Sequence, residues 1–372
     1  MTRAVAVATH GGRFLTWGHR AALEAVARMV HREHPPHALL VVGPRGVGKT
    51  TWALDLAAGL LCLHESAEAR PCRDCAACRK VTAGNHPDLH RVEPEGVGEQ
   101  IRIGQVLQLT SALALTAMEG RFRIAIVSAA QRMNPDAQNA LLKTLEEPGP
   151  ATCLVLCADE AAPLLPTVLS RSARLRLPPL PIGTLTGYLV EAGLAAPAPA
   201  RALAIAAHGR PGVAITLAQQ PEAVLVRAGI GRTLLALAIA DRRTRLAAAA
   251  DLLADAAAVD AAMRGLVPPS AGRLQAVERR RATSLIIDVW RDLGRDLAVA
   301  ARGGGRGVRD LDQLDELVDV GRRMDPAALD RFLDGLDGYL LAIEGYANPE
   351  LALDTLLLAW PRPGRHPAAL IE

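Results

Sequence analysis

Gly43-Pro44-Arg45-Gly46-Val47-Gly48-Lys49-Thr50 is a complete G-x-x-x-x-G-K-T. The chemistry of that spacing is phosphate binding. Glycines let the loop wrap until its backbone N–H groups, and the N-terminus of the next helix, face an anion. Lys49 then reaches the β- and γ-phosphates and Thr50, with Thr51 beside it, holds Mg²⁺. A loop of this kind kept for its shape alone is the open alternative. A second group is Cys62, Cys72, Cys75 and Cys78, spaced C-x9-C-x2-C-x2-C. Four thiolates close the tetrahedral shell of a structural Zn²⁺ and leave no position for catalysis. His64 and His86 are nearby substitutes, and free thiols are the plain alternative. Pro71 and the polar residues between the thiols suit a knuckle rather than a helix. Cys153 and Cys157 fall on one face of an apolar run and read as core.

The elements that must position these groups are legible as short apolar runs. Ala38–Val42 reads as a strand, followed by the loop and a helix over Thr50–Leu63. Ile124–Val127 and Cys153–Cys157 read as buried parallel strands, and Arg174–Leu177 as one more. Between the second and third, Asn134–Glu147 is helical, with Asn134 as cap and Pro135 in the first turn. Residues 1–177 therefore read as an α/β domain with a parallel sheet, with the cysteine module inserted at about 62–78. Pro178-Pro179-Leu180-Pro181 is a stiff hinge. Residues 178–221 read as a small helical unit and 222–372 as a second, all-helical domain. There Leu329, Phe332, Leu333, Leu336, Leu340 and Ile343 share one helix face. Gly303-Gly304-Gly305 is a loop, and Asn348-Pro349-Glu350 starts the last helix.

Hydrolysis asks for more than the loop. A carboxylate at the end of a neighbouring strand must hold Mg²⁺. Ile124–Val127 instead runs into Ser128-Ala129-Ala130-Gln131. Asp136 and Glu146 lie on the next helix, and the tip of the Cys153–Cys157 strand offers Ala158 and then Asp159. The expectation is ATP/Mg²⁺ binding without efficient hydrolysis.

Composition sets outer limits. The chain has 372 residues, 50% apolar, with 42 basic residues against 39 acidic for a net charge of +3. Such a sequence can build real cores, which excludes wholesale disorder, and is not a strongly basic nucleic-acid binder. No stretch reaches the roughly 18–20 apolar residues of a membrane span, so a soluble, cytoplasmic protein with no membrane partner is expected. Only Lys49, Lys80 and Lys143 among the 42 cations are lysine. The alternating charges of Glu278–Arg295 read as a solvated helix face.

A phosphate loop, a four-cysteine insertion just after its helix, and an α/β domain followed by helical ones resemble the bacterial clamp-loader AAA+ family. The densest match is Asn139–Pro148, which looks like that family's central helix. His37–Leu40, Asn85-His86-Pro87-Asp88 and the helix beginning Asn348-Pro349-Glu350-Leu351 match as well. The resemblance implies an AAA+ domain with a zinc module, a small helical lid and an all-α collar that joins an oligomer. Ser170-Arg171-Ser172 stands where the family has Ser-Arg-Cys. Arg171 is thereby implied as an arginine finger offered in trans to ATP on a neighbouring subunit. On its own it reads as a surface arginine at a helix end. In Gly209–Val213 the family's motor subunits carry a sensor arginine where this sequence has Gly212 or Val213, with Arg210 out of register. Its loss, together with the missing strand-tip acids, implies a stationary subunit rather than a motor. The implied partners are tau/gamma motor subunits, a delta subunit, the sliding clamp and primed DNA reached through the assembly. Two other readings stay open. One is an independently active ATPase using Asp136 or Asp159. The other is a zinc-dependent nucleic-acid adaptor using Arg73, Arg79 and Lys80.

Overall fold

The apolar runs become the centre of a five-stranded sheet in the computed structural model, which describes residues 7–9, 12–95, 100–267, 274–304, 314–344 and 347–362. The chain divides into two compact units, residues 1–215 and 216–372.

The first unit opens with a short antiparallel hairpin, β1 (Val7–Thr9) and β2 (Gly12–Phe14), and helix α1 (Arg20–His31). Strand β3 (Ala38–Val42) leads through the glycine loop into α2 (Lys49–Leu61). Then come α3 (Ala76–Ala83), β4 (Leu89–Val92), α4 (Ile103–Leu113), β5 (Arg123–Val127), α5 (Pro135–Glu146) and β6 (Thr152–Ala158). A short α6 (Pro166–Ser170), β7 (Ala173–Arg176), α7 (Ile182–Glu191), α8 (Pro197–Ala206) and α9 (Pro211–Gln219) follow. The main sheet is parallel throughout, in the order β4-β5-β6-β3-β7.

Strand alternation explains why these runs are apolar at every position. Leu39, Val41, Ile124, Ile126, Cys153, Val155 and Cys157 face one core together with α1 and α2. Ala38, Leu40, Ala125, Val127, Leu154, Leu156 and Ala158 face the other, with α4 and α5. A parallel sheet covered on both faces has no side left for polar residues. Cys153 and Cys157 are thus core residues, and burial pushes both thiols up to about 12. Asn134 caps α5 as expected, accepting from the Ala137 N–H at 2.9 Å. On α7, Tyr188 packs against half-buried Trp17, ring centroids 4.6 Å apart.

The second unit is all helical among its described residues: α10 (Pro221–Ile239), α11 (Arg242–Ala247), α12 (Ala249–Met263), α13 (Ala276–Ala301), α14 (Leu314–Gly321), α15 (Pro326–Glu344) and α16 (Pro349–Ala359). Leu329, Leu336 and Ile343 of α15 are fully buried, with Phe332, Leu333 and Leu340 packed on the same core. Trp290, Phe332 and Trp360 form an aromatic cluster, the two indoles 5.6 Å apart and edge to face. The charges of Glu278–Arg295 are less solvated than their pattern suggests, because neighbouring helices supply acids: Asp292 meets Arg227 at 2.9 Å and Arg281 meets Asp260 at 3.8 Å. Gly303 and Gly304 lie in the turn after α13, and Gly305 falls outside the described residues. Among the described residues no helix is long and apolar enough to cross a membrane.

Candidate functional site

The glycine loop leaves β3 at the carboxyl end of the sheet, where parallel α/β folds place their ligands. Gly43 is required by crowding, since a Cβ there would stand 2.1 Å from the Leu177 carbonyl oxygen. Gly48 is required by conformation, with φ of +109° just before α2. Val47 is buried, and its carbonyl meets His19 Nε2 at 3.0 Å, so the residue preceding α1 also shapes the loop. Burial lowers the pKa of that imidazole. Pro44 and Arg45 lie on the outer side of the loop, Arg45 exposed, while Thr50 and Thr51 occupy the first turn of α2.

Lys49 is buried, and its ammonium is fully engaged. It donates to the carbonyls of Gly43 (2.5 Å) and Pro44 (3.0 Å) and to Asp159 Oδ1 (2.6 Å). Asp159 follows β6, which lies beside β3, so strand order alone joins residues far apart in sequence. Gln131 holds that carboxylate in place. Its Nε2 donates to Asp159 Oδ2 at 2.9 Å and its Oε1 accepts the Asp159 N–H at 3.1 Å. At the tip of β5 stands Ser128, its hydroxyl buried without a hydrogen-bond partner, followed by Ala129 in the left-handed region (φ +52°). Asp136 sits exposed in the first turn of α5. The loop is covered from α9: the Gly212 N–H donates to the Gly46 carbonyl at 2.8 Å, and Val213 packs on Gly46. Arg210 turns back to the Ala207 carbonyl (2.9 Å).

The four cysteines converge at the other end of α2, where Cys62 is the C-cap. Their sulfurs all lie within 4.8 Å of one another, so they could hold a metal ion. The Cys72, Cys75 and Cys78 N–H groups donate to the sulfurs of Cys62, Cys72 and Cys75 at 3.4–3.5 Å, which stabilises negative sulfur. Hydrogen bonding with Cys78 pulls the Cys62 thiol well below its ordinary range and pushes Cys78 up. Such a set suits a thiophilic divalent cation. One expectation is corrected: Cys75 is the N-cap of α3, its sulfur accepting the Cys78 N–H, so Cys78 lies on a helix rather than in a knuckle. Neither histidine competes for the place. His64 Nδ1 meets the Ser66 carbonyl at 3.3 Å, and His86 Nδ1 accepts the Asp88 N–H at 3.1 Å.

The basic residues around the cysteines all have partners on the chain, and only that of Arg73 is buried. Arg73 pairs with the fully buried Asp55 of α2, Arg79 donates to the Asp74 carbonyl at 2.5 Å, and Lys80 meets Glu119 at 2.6 Å. Asp55 also accepts the Leu15 and Thr16 N–H groups at 2.7–3.1 Å, and burial raises its pKa against those partners. This residue escaped the sequence reading; its signal was a lone carboxylate in an otherwise apolar helix. Arg171 caps the C-terminus of α6 away from this network and pairs with Glu146 of α5 at 2.7 Å, both side chains substantially exposed. Ser172 is buried and donates to the Val168 carbonyl at 2.9 Å.

Residues 18–181 match the family model described as DNA polymerase III, delta subunit. The DNA polymerase III subunit delta' of Bacillus subtilis is 37% identical over 162 residues, and that of Pseudomonas aeruginosa 41% identical over 147. These matches take in 44% and 40% of this chain and 48% and 44% of the relatives, so the chain spans about half the length of the curated relatives it matches. A solved DNA polymerase III gamma subunit-related protein from Thermotoga maritima aligns over 91% of this chain and 98% of its own, at 16% identity and a TM-score of 0.45. Over residues 18–181, this chain is similar to the DNA polymerase III delta-prime subunits.

Proposed function

We propose that the protein is the stationary subunit of a bacterial clamp loader, an AAA+ protein that holds nucleotide without turning it over and lends Arg171 to a neighbouring motor subunit. The observation that carries this reading is the placement of Arg171. Its guanidinium lies outside the protein's own phosphate loop, on the surface, tethered to Glu146 at 2.7 Å with 37% and 51% of the two side chains exposed. An exposed ion pair of this kind contributes little. The arginine can therefore exchange Glu146 for the phosphoryl oxygens of a nucleotide on another chain, where a planar cation spreads charge as the transition state develops. The neutral tip of β5 at Ser128 and Ala129 supports a subunit that does not hydrolyse ATP itself.

In this reading Gly43–Thr51 form the nucleotide site, Cys62, Cys72, Cys75 and Cys78 hold one structural Zn²⁺, and residues 178–221 and 222–372 act as lid and collar. Its partners are tau/gamma motor subunits and a delta subunit, with the sliding clamp and primed DNA met through the assembly in the cytoplasm. The pairing of Asp159 with Lys49 speaks against Asp159 as an independent catalytic base. The buried pairing of Arg73 with Asp55 speaks against a nucleic-acid adaptor that would use that arginine.

The test is reconstitution with the motor and delta subunits. Arg171→Ala should leave assembly intact and lower DNA-stimulated ATP turnover and clamp loading several-fold. Unchanged turnover removes the finger. Motor-like turnover by the purified chain, lost on Lys49→Ala, removes the stationary role.

A further inference from the structure

We propose that Asp159 stands in for a γ-phosphate, so that the loop accepts a nucleoside diphosphate in preference to a triphosphate. This rests on the reading of Gly43–Thr51 as a nucleotide site and adds to it which nucleotide that site selects.

A buried ammonium must be satisfied, and it has three protons to donate. Lys49 uses all three inside the protein, on Gly43 O, Pro44 O and Asp159 Oδ1. Two of these acceptors belong to the loop and move with it. The third is a full negative charge placed by another strand at 2.6 Å, the position from which a terminal phosphoryl oxygen would address the same nitrogen. Asp159 is not free to leave, because Gln131 clamps both its backbone N–H and its second carboxylate oxygen. The tip of β6 is itself fixed beside the loop by the Gly43 N–H, which donates to the Ala158 carbonyl at 3.2 Å.

A diphosphate sits in the amide cradle of Gly46–Thr50 and takes from Lys49 only the contacts now made to the Gly43 and Pro44 carbonyls, so the Lys49–Asp159 pair stays in place. A third phosphate extends toward the strand tips, where it meets a carboxylate and competes with it for one cation. Like charges at such range oppose one another strongly when solvent is thin. The tip of β5 offers the neutral Ser128 rather than an acid that would recruit a second cation. The segment of α9 above the loop presents Gly212 and Val213, while Arg210 is directed to the Ala207 carbonyl.

The experiment is calorimetric titration of the purified full-length chain with MgADP and MgATP, for wild type, Asp159→Asn, Gln131→Ala and Lys49→Ala. Wild type should bind ADP about tenfold or more tightly than ATP, the scale of one close like-charge contact. Asp159→Asn should bring the two affinities together, chiefly by tightening ATP. Gln131→Ala, which only loosens the carboxylate, should give a smaller shift in the same direction and serves if the first variant does not fold. Lys49→Ala should abolish both. Equal affinities in wild type, a preference for ATP, or an unchanged ratio in both Asp159→Asn and Gln131→Ala overturns the proposal and leaves the nucleotide site standing. No binding of either nucleotide to any of the proteins overturns the nucleotide site itself, and this proposal with it.

Discussion

In the α/β unit, the buried cations Lys49, Arg70 and Arg123 lie beside the carboxylates of Asp159, Glu33 and Asp88. In the helical unit, Arg245 is buried completely and meets no carboxylate among the described residues. It donates instead to the carbonyls of Ala238 (2.8 Å), Leu357 (3.2 Å) and Trp360 (2.5 Å). These carbonyls lie at the C-terminal ends of α10 and α16, where helices leave acceptors unpaired and carry partial negative charge. Burial lowers the pKa of the guanidinium to about 10, which still leaves it charged at neutral pH. Lys49–Asp159 fixes the phosphate loop, Arg70–Glu33 ties the cysteine segment to the turn after α1, and Arg123–Asp88 joins the starts of β5 and β4. Arg245 joins helix ends and fixes only the packing. Buried charge in one unit builds a site, and in the other it seals a core.

The most damaging test of that contrast is Arg245→Met, which removes the cation and strands three buried carbonyls. A loss of about 3 kcal/mol is expected from several buried acceptors left unpaired. It should appear as a lower urea midpoint for the helical unit, with the affinity of the phosphate loop untouched. An unchanged midpoint would break the comparison. Asp88→Ala comes next, at about 2 kcal/mol for a carboxylate that loses its backbone donors. Its oxygens accept the N–H groups of Met118, Glu119 and Gly120 at 2.6–2.8 Å. Burial pushes this carboxyl up, but the three donations hold it below its ordinary value. A depressed carboxyl stabilises fully above its unfolded pKa, about 3.9, and loses that contribution as pH falls through the folded value. The stability gap between wild type and variant should therefore be flat from pH 7 to about pH 5 and shrink below about pH 4. A gap that persists into acid would mean that packing, not charge, accounts for the loss. The smallest effect sharpens the comparison from the other side. Asn134 and Asn348 cap α5 and α16 in the two units, and either one replaced by alanine should cost about 1 kcal/mol. A clear inequality in thermal melts would show that caps, too, are used differently.

What the sequence made legible follows the same division. Strands β3, β5 and β6 were plain because a sheet covered on both faces writes unbroken apolar runs. Strand β4 was not, because at the sheet edge Leu89-His90-Arg91-Val92 needs only two apolar residues. The cysteine spacing identified four thiols that the structure brings together, but not the helix through Cys78, since a cysteine is an uncommon N-cap. The loop Gly43–Thr50 was visible as a local motif. Its most consequential partner was not, because Lys49 and Asp159 meet only through the order of the strands. Asn85-His86-Pro87-Asp88 was noticed as a family pattern, and the structure supplies its reason: Asp88 organises the turn that feeds β5.

The aromatic residues have an optical consequence. The four tryptophans are divided evenly, Trp17 and Trp52 in the first unit and Trp290 and Trp360 in the second. Trp290 and Trp360, edge to face at 5.6 Å, are close enough for their transitions to couple, which gives the helical unit its own near-ultraviolet dichroism. Trp52 is sealed in the core with its Nε1 donating to the Ala22 carbonyl, so its emission reports on melting alone. Trp17, half-buried against Tyr188 of α7, is the indole whose brightness and colour follow any displacement of that helix. One unlabelled sample thus carries separate spectroscopic reporters for the collapse of each core and for motion of α7.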